Sequence, residues 1–253
     1  MKLDTRTFLK YFICFSFFNV LFIGCVFGQA AKKDIKQFDV HLVPSSSITA
    51  QIKSFNALLE KKGILKKYDI TPFLVNHPVH LTLYLTDFNS KNLPEIGKNI
   101  LSIANKNNKF TLRTSGIVAS KSGFVLLNVD NGKNKNGKLN NLQLLSNQVI
   151  SLLKKYRDKN AIMPGWVKYY PLKINSFEKY GSPNAFSQFN PHFSILAVSL
   201  KNKTLKASFI KDMNQAIKEF KFKPVKATIT AIGIGEVNKD GQIIKEIKTL
   251  SLK

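Results

Sequence analysis

The chain has four histidines, and two of them sit in repeated surroundings: Val79-His80-Leu81-Thr82-Leu83 and Pro191-His192-Phe193-Ser194-Ile195. Imidazole is the side chain whose ordinary proton affinity lets it take up or release a proton near neutral pH, and a hydroxyl can donate a hydrogen bond to developing negative charge. Both segments alternate like β-strands. That alternation points His80 and Thr82 to one face and Leu81 and Leu83 to the other, and it sets His192 and Ser194 against Phe193 and Ile195 in the same way. Each strand therefore offers an acid–base group beside a donor, backed by core. One His-x-Thr says little, but two copies in matching strand contexts, 112 residues apart, are moderately specific. His41 and His77 lack the partner hydroxyl and are expected to be surface or core residues.

The elements that must position these residues follow from periodicity. Phe38 to Leu42 alternates as a strand, Ile48 to Leu65 has helical spacing, and Val79 to Thr86 is rich in strand formers. Leu93 to Ala104 predicts a helix, and strands follow around Phe110 to Val118 and Gly123 to Val129, with Asn131-Gly132 as the turn after them. Leu142, Leu145, Val149, Leu152 and Leu153 make one stripe on a helix from about Asn140 to Arg157. An irregular stretch through Pro164, Pro171 and Pro183 leads to the strand Phe193 to Leu200. A helix from Leu205 to Phe220 and strands Val225 to Val237 and Ile243 to Leu252, joined at Asn238 to Gly241, complete the chain. Strand, helix, two strands thus occurs after residue 78 and again after residue 191. The expectation is an α+β fold of two pseudo-symmetric lobes, each an antiparallel sheet flanked by helices, with a central cleft. No linker divides residues 31–253, which read as one two-lobed domain, and a monomer is expected.

The twin motif resembles that of the two-histidine phosphoesterase superfamily, which includes 2′-5′ RNA ligase-like proteins and cyclic nucleotide phosphodiesterases. The resemblance runs from His80 onward and includes Tyr180-Gly181 and the closing strands after Ala227. Pro191, where the first copy has Val79, departs from the pattern. The resemblance implies a metal-independent phosphodiesterase acting on a 2′,3′-cyclic phosphate, a 2′-5′ linkage or a related cyclic nucleotide ester. It implies His80, Thr82, His192 and Ser194 as catalytic residues and Tyr180 as a substrate contact, with a nucleotide or RNA-type diester as partner. One imidazole would serve as base and the other as acid, while Thr82 and Ser194 donate to the non-bridging oxygens. By the same resemblance His192 is the base and His80 the acid.

Other chemistries find little support. Neither the histidines nor the acidic residues have the spacing of a closed metal site, so no metal or other cofactor is expected. Gly233-Ile234-Gly235 begins like a dinucleotide fingerprint, but Asn238 stands where the third glycine belongs, and a bulge or close packing explains the glycines better. The aromatics between the motifs, Trp166, Tyr169, Tyr170, Tyr180, Phe186 and Phe189, could stack on a base or pack the lobes, and most are expected to pack.

Lys2, Arg6 and Lys10 precede an apolar run from Tyr11 to Phe27, which is the build of a signal peptide over residues 1–30. Cleavage after Ala30 is favoured over a lipoprotein box at Phe22-Ile23-Gly24-Cys25, which would attach lipid at Cys25. The protein is expected to be exported to the periplasm or secreted, with membrane contact only through the signal segment or that lipid. Both cysteines, Cys14 and Cys25, lie in this segment, so the mature chain has no thiol for a disulfide or a nucleophile. The net charge of +24 becomes +22 once the segment is removed. That field attracts RNA or another polyanion, while lysines scattered among asparagines read equally well as solvated surface. A basic, exported protein that binds nucleic acid or an anionic surface, with the fold but no activity, is the alternative.

Overall fold

The computed structural model describes residues 34–132, 138–200 and 202–253. The expected signal segment, its two cysteines and most of the lysine–asparagine run from Lys133 lie outside the described residues.

Among the described residues seven strands form one antiparallel sheet system: β1 (Ile35–Pro44), β2 (Leu81–Asn89), β3 (Phe110–Ala119), β4 (Phe124–Val129), β5 (His192–Ala197), β6 (Lys226–Val237) and β7 (Ile243–Ser251). The order is β2-β1-β6-β3-β4-β5, with β7 also on β6. β6 is the shared spine. Its first residues, Lys226 to Ile229, pair with β3, and its later residues pair with β1 on one side and β7 on the other. The lobe that carries His80 is thus β2-β1-β6-β7, and the lobe that carries His192 is β5-β4-β3 with the start of β6. The two lobes do not coincide with the two sequence halves. Each half sends its closing hairpin, β3–β4 or β6–β7, into the other half's sheet.

The helices obey their apolar spacing. In α1 (Ser46–Lys61), Ile48, Ile52, Phe55 and Leu59 recur at intervals of three and four and are buried. α2 (Ile64–Lys67) and α3 (Phe73–Asn76) are single turns on the way to β2. Ile96, Ile100 and Ile103 form the buried stripe of α4 (Leu93–Lys106). α5 (Asn141–Leu153) starts where the Asn140 side chain accepts from the Gln143 amide at 2.8 Å, satisfying one of the free N–H groups of the first turn. α7 (Lys203–Glu219) is capped in the same way by Asn202 and buries Phe209, Met213 and Ala216. These stripes and the inner faces of the strands make one continuous core. Among the described residues no helix is long and apolar enough to cross a membrane.

The proline-rich stretch expected to be irregular contains a helix, α6 (Pro171–Tyr180). Pro171 occupies its first position, where a missing N–H does no harm, and Gly181 ends it in the left-handed region at φ 73°. A Cβ at Gly181 would stand 2.6 Å from Thr86 Oγ1, so this glycine also lets the helix end dock on β2. The Thr86 hydroxyl donates to the Gly181 carbonyl there, at 2.9 Å.

Candidate functional site

β2 and β5 stand at the two ends of the strand order and approach each other in space. His80 immediately precedes β2, and His192 is the first residue of β5, opposite Asn128 of β4. The two imidazoles are held alike. His80 Nδ1 lies 3.0 Å from the carbonyl of Pro78, and His192 Nδ1 lies 2.8 Å from the carbonyl of Asn190, in each case two residues back. A carbonyl can only accept, so Nδ1 carries the proton in both rings and Nε2 is left as the basic nitrogen. This repeated local geometry is the structural counterpart of the repeated sequence.

Burial distinguishes the two motifs. His80 is 6% exposed, and burial pulls its proton affinity down to about 4. His192 is only half-buried by surface area, but the crowding around its ring also lowers its proton affinity, and the charge of Lys173 adds to the effect. The charge of His192 is felt at His80. His80 packs against Asp39 and His41 of β1 and the Gly241 backbone in the β6–β7 turn.

The hydroxyls also differ. Thr82 Oγ1 donates to Asp39 Oδ2 at 2.6 Å, and His80 Nε2 faces the same oxygen at 3.4 Å. The Ser194 hydroxyl makes no hydrogen bond among the described residues, although its backbone pairs with Leu126 of β4. Asp39 is wholly buried, and its Oδ1 has no hydrogen-bond partner. Burial pushes the Asp39 carboxyl up to about 7, against the opposing charge of His41 and the Thr82 hydrogen bond.

Behind Asp39 lies His41, a core residue at 1% exposure, whose ring meets that of His80 edge to face at 5.7 Å. His41 Nδ1 is 3.2 Å from the Asp39 carbonyl, and Nε2 is 3.3 Å from Glu246 of β7. Burial alone would lower the proton affinity of His41, but the Glu246 hydrogen bond and the Asp39 charge prevail and raise it. Burial acts to raise Glu246, but its bond to His41 and the charge of His41 hold it below its ordinary value. Each partner thus favours the charged form of the other, and the His41–Glu246 pair backs the Asp39–His80–Thr82 group. Gly233 makes room for it: a Cβ there would stand 2.7 Å from His41 Nε2 and 2.8 Å from Glu246 Oε1. Close packing, expected for the Gly233-Ile234-Gly235 segment, is what the structure shows.

Asp39, His41 and Glu246 were not among the sequence candidates. The signal was present in the strand Phe38 to Leu42, where two ionisable residues alternate with Phe38, Val40 and Leu42. Glu246, 205 residues beyond His41 in the exposed run of β7, gave none.

The remaining candidates are placed as follows. The Tyr180 ring ends α6 against Phe186, with centroids 4.6 Å apart, and Lys154 and Lys179 lie over it at 5.6 and 5.4 Å. Phe189 is buried, but Trp166, Tyr169 and Tyr170 are exposed, contrary to the expectation of packing. They lie on the segment that turns over three-ten geometry before α6. Lys173 of α6 links this surface to the site: its Nζ donates to Asn184 Oδ1 at 2.6 Å and lies 5.9 Å from the Trp166 ring. Half-burial lowers the proton affinity of Lys173. His77 Nδ1 is 3.0 Å from the Ile243 carbonyl, part-buried. A cavity of about 610 Å³ lined by Phe110, Arg113, Asp130, Leu142 and Lys226 shares no residue with either motif. Among the described residues no three His, Cys, Asp or Glu side chains are grouped so as to hold a metal ion.

Residues 44–241 match the 2′-5′ RNA ligase superfamily. Among solved structures, TT0787 of Thermus thermophilus is 12% identical with a TM-score of 0.50, over 85% of this chain and 97% of that one. LigT of E. coli complexed with 3′-AMP is 14% identical over 87% and 99%, with a TM-score of 0.45. Usb1 of Kluyveromyces marxianus with uridine monophosphate is 13% identical over 86% and 97%, with a TM-score of 0.42. The likeness to TT0787 supports the fold alone. No curated protein matches the chain.

Proposed function

The chain belongs to the 2′-5′ RNA ligase superfamily of two-histidine phosphoesterases and RNA ligase-like enzymes, and from that premise we propose that it is a metal-independent phosphodiesterase. Its substrate class is a 2′,3′-cyclic phosphate, a 2′-5′ linkage or a related cyclic nucleotide ester. The observation that carries this reading is the twin arrangement in which Nδ1 of His80 and of His192 is committed to a backbone carbonyl, leaving two Nε2 atoms for chemistry.

In-line displacement at phosphorus needs one group to take a proton from the attacking water and another to give one to the departing oxygen. Burial, with the charge of Lys173 adding to it, favours the neutral form of His192, which suits the base. The carboxyl beside His80 suits the acid. Ser194, with a free hydroxyl, and Thr82 are the donors for the non-bridging oxygens, where charge accumulates in the transition state. Cleavage of a 2′,3′-cyclic ester breaks one P–O bond as the water oxygen forms another. The His192 Nε2 takes the water proton, and the freed ribose oxygen receives one from the His80 side.

The test is a panel of 2′,3′-cyclic nucleotides, 3′,5′-cyclic nucleotides and 2′-5′-linked dinucleotides incubated with the mature chain and excess chelator. Turnover of at least one class is expected. Turnover only after zinc or magnesium is restored would refute the mechanism. Salt-sensitive polyanion binding without turnover would favour the binding-protein alternative.

A further inference from the structure

The two motifs are nearly symmetric in sequence, yet among the described residues only the first has a carboxyl against its histidine, supplied from β1. Asp39 Oδ2 is the common neighbour of Thr82 Oγ1, at 2.6 Å, and His80 Nε2, at 3.4 Å. Since His80 Nδ1–H already donates to Pro78, its Nε2 would face a carboxylate oxygen lone pair to lone pair unless one proton lies between them. Thr82 does not supply that proton to Nε2, because its hydroxyl donates to the carboxyl. The Asp39–His80 pair therefore holds one proton, on oxygen or on nitrogen, and is neutral overall in either form.

We propose that Asp39 is a positioning residue that shares one proton with His80 and so makes the first motif the proton-donating half of the site. This inference rests on the phosphodiesterase reading and deepens it. During turnover the Asp39 proton moves to His80 Nε2, and the Nε2 proton passes to the departing ribose oxygen as its P–O bond breaks. Asp39 is left as a carboxylate and His80 neutral. The proton gained by His192 from the attacking water leaves to solvent, and solvent returns one to the Asp39–His80 pair, so the cycle closes. Burial leaves His80 alone a poor proton carrier at neutral pH, with an affinity near 4, whereas Asp39 holds a proton up to about 7. Pairing lets one buried group store what the other delivers.

The groups facing the pair are consistent with this role. From β1, His41 brings positive charge; from β7, Glu246 brings the negative charge that balances it; the turn after β6 brings the Gly241 backbone toward His80; from β5 comes the second imidazole. The second motif has Lys173 as its charged neighbour instead of a carboxyl, which disfavours a stored proton on His192. The asymmetry that assigns acid and base is thus outside both motifs.

The test is Asp39→Asn, which keeps the shape and can still accept from Thr82 but cannot hold or release the proton. Two readouts are needed. The first is the nitrogen-15 resonance of His80 Nε2 in the mature protein across pH 5 to 8. The parent should show a proton-sharing Nε2, and the variant a bare, unprotonated Nε2 at neutral pH. Identical resonances would overturn the proposal, whether or not any substrate is turned over. The second is the pH–rate profile on whichever diester the protein cleaves. The alkaline limb should move to lower pH in Asp39→Asn, with a loss of about tenfold or more at pH 7, since each unit of displacement is tenfold on that limb. The loss on a nitrophenyl diester, whose leaving group needs no proton, should be at least about tenfold smaller. Equal losses on both substrates would mean that Asp39 serves only the fold. If neither chain cleaves any diester, the functional reading fails, and the resonance decides the proton sharing by itself. Should Asp39→Asn not fold, Thr82→Val removes the donor to Oδ2 and should raise the pH at which the pair loses its proton; no change would overturn the proposal.

Discussion

Removing each imidazole in turn should separate burial from chemistry. His80→Ala deletes a side chain that is 5% exposed, whereas His192→Ala deletes a half-buried one, and both lose an equivalent Nδ1 bond to a carbonyl. Losing that bond costs about 1 kcal/mol where water can replace it, and about 1 to 3 kcal/mol where the carbonyl is left dry. The hole left by a buried ring adds about 2 kcal/mol, because the surroundings relax only in part. Relief of the desolvated Asp39–His80 contact returns some of this. We expect His80→Ala to lose about 3 kcal/mol and His192→Ala about 1 kcal/mol. For a chain of this size that difference is about 4 to 8 °C in melting temperature. The assay is thermal and urea unfolding of the mature chain, with m-values compared to confirm that the denatured states match. Equal losses, or a greater loss for His192→Ala, would refute the deeper burial of His80.

Four further outcomes follow from the same geometry. Stability should depend on pH differently in Asp39→Asn. In the parent, native Asp39 keeps a proton that the unfolded residue releases above 3.8, while the unfolded His80 binds one below 6.5 that the native ring refuses until about 4. Those slopes are opposite and offset each other between about pH 4 and 6.5, so the variant, left with the histidine alone, should lose up to about 3 kcal/mol relative to the parent as pH falls through that window. A flat difference in paired urea titrations would contradict this. Gly181→Ala should lose about 2 to 5 kcal/mol by combining left-handed strain with overlap on Thr86 and Arg157, and Gly181→Asn, which tolerates that backbone region, should not recover it. A full recovery with Asn would show that the strain dominates and the overlap is absorbed. On a nitrophenyl diester His80→Ala should regain turnover selectively while His192→Ala should not; the reverse pattern would exchange the acid and base roles. Export is tested by N-terminal sequencing of the protein recovered from cells, which should begin at Ala31; an intact Met1 or a lipid on Cys25 would contradict cleavage after Ala30.

Much of this arrangement was legible in the chain itself. The strands that carry His80 and His192 alternate so regularly that their inward and outward faces could be assigned, and the stripes of α1, α4, α5 and α7 repeat at helical spacing. α6 was hidden because Leu172, Ile174, Phe177 and Tyr180 do not gather into one buried stripe, its buried side chain being Ser176, and the pair Pro171 and Gly181 marks its ends. The exchange of hairpins between halves was not legible, since local periodicity carries no information about which strand pairs with which. The Asp39–His41–Glu246 group stayed hidden for the same reason. It is assembled by the pairing of β1 with β6 and of β6 with β7, which brings residues 39 and 246 together across the whole domain.

The most direct measurement is the rate of hydrolysis of a 2′,3′-cyclic nucleotide in chelator by the mature protein, by His80→Ala and by His192→Ala, side by side and at equal folded fractions. A two-histidine site predicts turnover by the parent and the loss of nearly all of it in each variant. Comparable turnover by either variant would contradict it.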